Sequence, residues 1–298
     1  MKVVSFSAGG YSAVGWLENG EVVDFTRAYT LHCIATGRPV HAAAHSILHM
    51  LQAGLFGAEL FADVRAFVKR HRLTKELRVP GARLLAPIPR PPRIIALGLN
   101  YAAHAEETGK KPPKDPIFFV KASTAVIGPE EPVVHPKGVG RVDHEVELAA
   151  VIGRGGRRIS RRAAPKHIAG YTILNDVTAR DMQNRDLATS RPWFLSKSFD
   201  TFAPMGPCLA LPDEISEPAD LDLVLRVNGE VRQKSNTRDL IFKVPDLIQR
   251  LSRHVTLEPG DVIATGTPSG ISPVRPGDVM EAEVERIGVL RNPVVGQS

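Results

Sequence analysis

Apolar residues recur along the chain with two periods. The helical period is clearest over residues 58–72, where Leu60, Phe61, Val64, Phe67 and Val68 fall on one stripe. Residues 42–53 read as another helix, and residues 245–254, opened by Pro245, as a third. Alternating or continuous apolar runs at 2–6, 13–17, 21–25, 93–99, 116–121, 145–152, 171–176, 221–227, 230–233, 262–265 and 279–284 read as strands. Asn19-Gly20 and Asn228-Gly229 each separate two such runs, the pattern of a two-residue hairpin. Pro259-Gly260-Asp261 and Pro276-Gly277-Asp278 form similar turns ahead of strands. Between Pro80 and Pro92 five prolines remove ladder donors and disfavour helix, so a boundary is placed there. The expected fold class is α+β, mainly β: a small α+β amino-terminal domain with its linker over residues 1–90, and a mainly β domain over 91–298.

Composition narrows the picture. The 298 residues are 43% hydrophobic and 23% charged, which excludes a mainly disordered chain. No apolar run approaches the roughly 18 residues that span a bilayer, and Gly9-Gly10 interrupts the opening residues before a signal-peptide core forms, so a cytoplasmic location is expected. Cys33 and Cys208 are too few and too far apart for a disulfide framework or a cysteine-built zinc site. The net charge of +6 is not gathered into a stripe; its densest stretch, residues 154–166, is broken by glycines and a proline. Nucleic acid is therefore not an expected partner, whereas a small anionic substrate suits the modest positive field. His41, His45 and His49 share one helix face, but Ala42 stands where the His-Glu-x-x-His pattern needs Glu, so they read as an exposed face.

The chemistry-bearing stretch is Asp143-His144-Glu145-Val146-Glu147-Leu148 and the apolar run after it. On a strand, Val146, Leu148, Ala150 and Ile152 point into a core while Glu145 and Glu147 share the opposite face, about 6.6 Å apart at ~3.3 Å per residue. Two acids on one face repel unless a positive charge lies between them. Asp176, at the end of the run 171–176, is a third oxygen donor, and an all-carboxylate set favours Mg²⁺ or Mn²⁺. Taken alone, Glu-x-Glu reads first as an exposed strand face.

Several motifs in order change that balance. Gly98-Leu99-Asn100-Tyr101 with His104 and Glu107 comes first, followed by Phe118-Phe119-Val120-Lys121 and the Asp143–Leu148 segment. Asn175-Asp176-Val177-Thr178-Ala179-Arg180-Asp181, Lys197-Ser198-Phe199-Asp200-Thr201-Phe202 and Thr265-Gly266-Thr267-Pro268 complete the series. Together, over residues 94–295, the chain resembles the fumarylacetoacetate hydrolase family. Residues 1–90 resemble the small domain many bacterial members carry, without a comparable motif.

The resemblance implies a mixed β-sandwich roll, a homodimer, and Mg²⁺ or Mn²⁺ held by Glu145, Glu147 and Asp176. It implies action on 2-keto or 1,3-diketo acids. The leading expectation is hydrolytic cleavage of a C–C bond in an acylpyruvate-like or fumarylpyruvate-like acid. The alternative is decarboxylation or isomerisation of a 2-hydroxymuconate-type diacid, or a lyase reaction. Lys197 is expected to stabilise developing negative charge, and Lys121 to hold a distal substrate anion. His104 and Glu107, three apart on a helical turn, form an acid–base pair on a lid expected over residues 101–113. Spacing alone would make that pair a polar surface helix. Gln183 and Thr267 are assigned to substrate on the resemblance, and Arg180 to bracing the metal loop. Residues 191–196, where members differ, leave the substrate open.

Overall fold

A computed structural model of the chain describes residues 1–107, 109, 111–215 and 218–298. Its largest sheet follows the order Glu21–Asp24, Tyr11–Glu18, Lys2–Ala8, Ala203–Ala210, Ile168–Asn175, Val146–Ile152, Val262–Ala264, Ile94–Gly98, Ile117–Lys121. A second sheet orders Glu230–Asn236, Asp222–Val227, Val279–Val284, Gly288–Gly296 and Val133–His135. Lys2 and Val3 pair with Ala210 and Leu209, so the amino-terminal hairpins extend the large sheet. The proline-rich stretch contributes the short strand Arg83–Leu85, which runs beside the first strand. The result is the mainly β, mixed α+β architecture expected of the chain.

Each face of the large sheet is covered. Leu148, Ile152 and Ile173 from one face pack with Leu223, Leu225, Met280 and Leu290 of the second sheet and with Leu247 and Leu251 of the helix Val244–His254. Ala149, Val151, Leu174 and Leu209 on the other face pack with Phe25, Phe61 and Val64 of the amino-terminal helices Phe25–Thr36 and Ala58–Arg70. Every residue of Val146–Ile152 is consequently buried. The alternation read from sequence is present, but the second face meets protein rather than water.

Both Asn-Gly hairpins form. Asn19 and Gly20 have φ of 54° and 81°, Asn228 and Gly229 φ of 52° and 81°, the left-handed pair that a two-residue turn needs. Several elements differ from the sequence expectation. The helix Phe25–Thr36 follows the strand at once, because the buried Asp24 carboxylate accepts the Arg27 N–H and caps it. Residues 42–53 divide into the short helices Ala42–His45 and Ile47–Gln52, since Ser46 turns extended and caps the second. The strands Ala203–Ala210 and Gly288–Gly296 carry prolines that mask their pattern. His41, His45 and His49 are exposed, as expected. Among the described residues no helix is long and apolar enough to cross a membrane.

Leu148 is fully buried between the sheets, whereas Leu195 is 62% exposed. Leu148→Ala is expected to lower unfolding stability by about 2–5 kcal/mol, and Leu195→Ala by less than about 0.5 kcal/mol. Urea unfolding followed by fluorescence distinguishes the two; equal losses would show that the inter-sheet core is not where stability resides.

Candidate active site

Val146 pairs with Asn175 across two neighbouring strands. Just beyond that pair, Asp176 N donates to Glu145 O at 2.8 Å, and Asn175 Oδ1 accepts the Glu145 N–H at 2.8 Å. These bonds set Glu145 and Asp176 side by side. Glu147 lies one residue past Val146 on the same face, and oxygens of Glu145, Glu147 and Asp176 lie within 4.8 Å of one another, all three residues buried. Among the described residues this is the one group of three or more such side chains placed to hold a metal ion.

Two buried lysines and the mostly buried Arg180 answer these acids. Lys197 Nζ donates to Glu145 Oε2 at 2.8 Å and Asp176 Oδ2 at 2.5 Å. Lys121 Nζ donates to Asp176 Oδ1 at 2.6 Å and the Val177 carbonyl at 3.2 Å. Arg180 bonds Glu145 Oε1, Asp143 Oδ2 at 2.7 Å and Gln183 Oε1 at 2.5 Å. Among the described residues Glu147 receives only the Gly266 N–H, at 2.7 Å on Oε2, and its buried Oε1 has no hydrogen-bond partner. Gly266 suits this role because its φ is +91° and an added Cβ would come within 2.9 Å of Asn100 Cβ.

The electrostatics follow the same division. Burial favours protonation of Glu145, but Lys197 and Arg180 outweigh it and hold the carboxyl far below its ordinary range. Burial, then the Asp176 and Glu145 charges, pushes Glu147 well above that range. For Lys197 the loss of water is outweighed by Asp176 and Glu145, which favour the charged form; for Lys121 burial prevails and lowers it. An orphaned oxygen on a carboxylate that lacks a cation is what a hard divalent ion would satisfy, so the donor set fits Mg²⁺ or Mn²⁺.

The short helix Ala102–Glu107 brings His104 into the cleft beside Glu145 and Lys197. His104 is 6% exposed, and its Nδ1 lies 3.1 Å from Glu107 Oε2. Glu107 Oε1 accepts the Gly270 N–H at 2.9 Å, tying the helix end to the loop after Thr267. The expected lid includes Thr108 and Lys110, which lie outside the described residues. A cleft of about 40 Å³ is lined by His104, Glu145, Gln183, Lys197 and Thr267, with Arg180 beside them. Five of the sequence-selected residues thus meet in one cavity, and Glu107 supports them through His104.

Two assignments take a different form in the structure. Lys121 is 3% exposed, engaged by Asp176 and Val177, and does not line the cleft. The Thr267 hydroxyl donates to Val146 O at 2.9 Å and accepts from Gln233 Nε2 at 2.8 Å, so its proton is already used. Sequence reading gave no role to Asp143, Asn100 or Leu99. Asp143 joins Arg180 to Arg141, whose Nε donates at 2.6 Å. Asn100 Nδ2 donates to Thr265 O at 2.7 Å and Phe242 O at 3.0 Å, while its Oδ1 accepts the Phe242 N–H at 2.8 Å. That clamp holds the preceding Leu99 at φ +58°, a left-handed conformation costly for a residue with a Cβ. Only its place in the Gly-Leu-Asn-Tyr run marked Asn100 beforehand, since its partners lie more than 140 residues away.

The family model described as Fumarylacetoacetate (FAA) hydrolase C-terminal matches residues 93–295. The mitochondrial oxaloacetate tautomerase FAHD2A of Homo sapiens is 44% identical over 238 residues, 76% of this chain and 75% of that protein. The solved fumarylacetoacetate hydrolase of Exiguobacterium antarcticum superposes with a TM-score of 0.81 at 32% identity, covering all of both chains. A maleylpyruvate hydrolase of Sphingobium, solved with manganese(II) and pyruvate, superposes at 0.77 with 32% identity, again over all of both chains. A matched segment that contains the three acids, the two buried lysines, Arg180 and the His104–Glu107 pair leaves one reading of descent: this chain belongs to the fumarylacetoacetate hydrolase family.

Proposed function

We propose that the chain interconverts the keto and enol forms of a short 2-keto diacid of the oxaloacetate class by moving a proton at the carbon next to the keto group. The observation that carries this reading is the placement of His104, backed by Glu107, in one cleft with Glu145 and Lys197. The 44% identity to an oxaloacetate tautomerase supports the same choice.

When bound to Glu145, Glu147 and Asp176, a Mg²⁺ or Mn²⁺ ion supplies Lewis-acid polarisation of a keto oxygen. The chain's own residues do the rest. Glu107 accepts from Nδ1–H of His104, which leaves Nε2 as the basic nitrogen that takes the proton from carbon and delivers it to the enolate oxygen, and reverses both transfers in the other direction. Lys197, charged through its acidic neighbours, offers a positive centre to negative charge developing in the cleft. Arg180 holds Gln183 by its carbonyl oxygen and so orients the amide on the cleft wall. Burial of His104 keeps bulk water from the proton in transit.

Hydrolytic C–C cleavage of an acylpyruvate-like acid is the second reading. The His104–Glu107 pair favours it, because the same geometry takes a proton from water. Product mass separates the two. Enol-oxaloacetate disappearing faster with no change in mass supports tautomerisation, while pyruvate release from acylpyruvates supports hydrolysis. Activity on neither, with Mg²⁺ or Mn²⁺ present, would sink both.

His104→Ala is expected to slow tautomerisation by about 10²–10⁴-fold with Mn²⁺ affinity unchanged; stopped-flow absorbance and calorimetry check the two halves. An unchanged rate would remove His104 as the base. Mn²⁺ at 100 times its dissociation constant should raise unfolding free energy by about 2.7 kcal/mol. Glu147→Gln should abolish most of that gain yet remain folded without metal, because a neutral amide replaces a carboxylate lacking a cation. Urea melts with and without Mn²⁺ measure this; an undiminished gain in Glu147→Gln would show that the ion binds elsewhere.

A further inference from the structure

The cleft has a polar side, already assigned, and an apolar side that no chemistry explains. Leu97, Gly98, Leu99, Phe119, Leu187 and Trp193 make the latter. Trp193 lies in the segment preceding Lys197, the part of the sequence with no motif. Its indole rests directly on Gly98: a Cβ added there would lie 2.8 Å from Cζ3 and 3.0 Å from Cη2 of the ring. Gly98 is the last residue of the strand Ile94–Gly98 and is not in a left-handed conformation. What the glycine provides here is room for the ring.

The ring is fixed from two further directions. Phe119 meets it edge-on, with centroids 5.4 Å apart and planes at 66°. Its own carbonyl accepts Ser196 Oγ at 3.0 Å and Lys197 N at 3.2 Å, opening the short helix Phe194–Lys197. Lys197 Nζ in turn lies 5.1 Å from the centroid of Phe119. The wall that limits the cleft is thereby built on the residue that carries its charge. Removing the indole would vacate space beside Lys197 without touching any of the three acids.

We propose that Trp193, seated on Gly98, sets the length of 2-keto acid that the cleft admits, confining it to short acids and excluding those with a phenyl-sized tail. The proposal deepens the keto-acid reading above and rests on it for the reactive end of the ligand. Trp193 touches no reacting group; it determines specificity by occupying the space a longer tail would need.

The test uses the full chain loaded with Mn²⁺ and two probes of one head group, oxalate and its phenyl amide oxanilate, titrated by calorimetry. Wild type should prefer oxalate. Trp193→Ala should tighten oxanilate by about 10- to 100-fold, the range that a change in apolar pocket space produces, with little effect on oxalate. Trp193→Phe, which retains a ring, should fall between, and reads the same ratio if the alanine variant does not fold. Gly98→Ala should weaken both probes by driving the ring off its seat. In Trp193→Ala that glycine substitution should lose its effect, since the atoms it strikes are gone. Parallel shifts of the two probes, or a Gly98→Ala penalty that persists without the indole, would overturn the proposal. Turnover of enol-oxaloacetate and enol-phenylpyruvate is measured on the same proteins. Inactivity toward both, with the oxanilate shift intact, would defeat the tautomerase reading and leave the gate standing. Activity on oxaloacetate without that shift would do the reverse.

Discussion

Four carboxylates, Asp143, Glu145, Glu147 and Asp176, are withdrawn from water at one end of two paired strands, and the site is organised by how their charge is answered. Two like charges at 4 Å repel by about 4 kcal/mol at an effective dielectric of 20. Such a set is tolerable only where cations are equally buried and held to it. Lys121, Lys197 and Arg180 supply three. Glu147 is the remainder, with a backbone N–H on one oxygen and, among the described residues, nothing on the other. The fold leaves room for one more positive charge at a definite place.

Holding that imbalance requires stiffness on both sides of the sheet. Cores on its two faces fix the strand Val146–Ile152, and Asn100 clamps the chain ahead of the helix Ala102–Glu107 to Thr265 and Phe242. Gln233 bonds Thr267 and Pro268 with its amide nitrogen and receives the Val146 N–H on its oxygen, tying the second sheet to the acid-bearing strand. The strained Leu99 lies between the strand Ile94–Gly98 and the helix Ala102–Glu107. Strain there is sustained by the Asn100 bonds around it, and it directs the chain from the strand Ile94–Gly98 into the helix that delivers His104.

What could be read from the sequence was what depends on near neighbours. Period-two alternation placed Glu145 and Glu147 on one face, the Asn-Gly pairs marked hairpins, and three-residue spacing joined His104 to Glu107. The triad needed Asp176 from a second strand, and its place at the end of the run 171–176 marked it as a third donor, while the order of several motifs strengthened the reading of all three acids as a metal set. Buried partnerships were less legible. Lys121 looks like any lysine closing a strand until Asp176 is seen 2.6 Å away. Prolines at 204, 207 and 293 concealed two strands, because proline inside a ladder argues against one unless a bulge or irregular pairing receives it. The helix Phe25–Thr36 was hidden by an aspartate that reads equally as a strand end and as a cap.

The division between frame and rim bears on how one family accommodates several reactions. The acids and their cations are interlocked, each cation serving at least two oxygen acceptors, so a change in any one leaves a buried charge uncompensated. The rim is assembled differently. His104 arrives on a short helix anchored through Glu107 and Gly270, while Trp193 arrives on a turn anchored through its own carbonyl. The two arrive on separate elements, and His104 adds to the positive field that favours ionised Glu145. Substitutions there change the residues lining the cleft while the interlocked acids and cations stay in place. Relatives named for hydrolysis and for tautomerisation align over the segment that carries this frame, and under the proposed function the space beside His104 is the part of the site that a rim substitution changes.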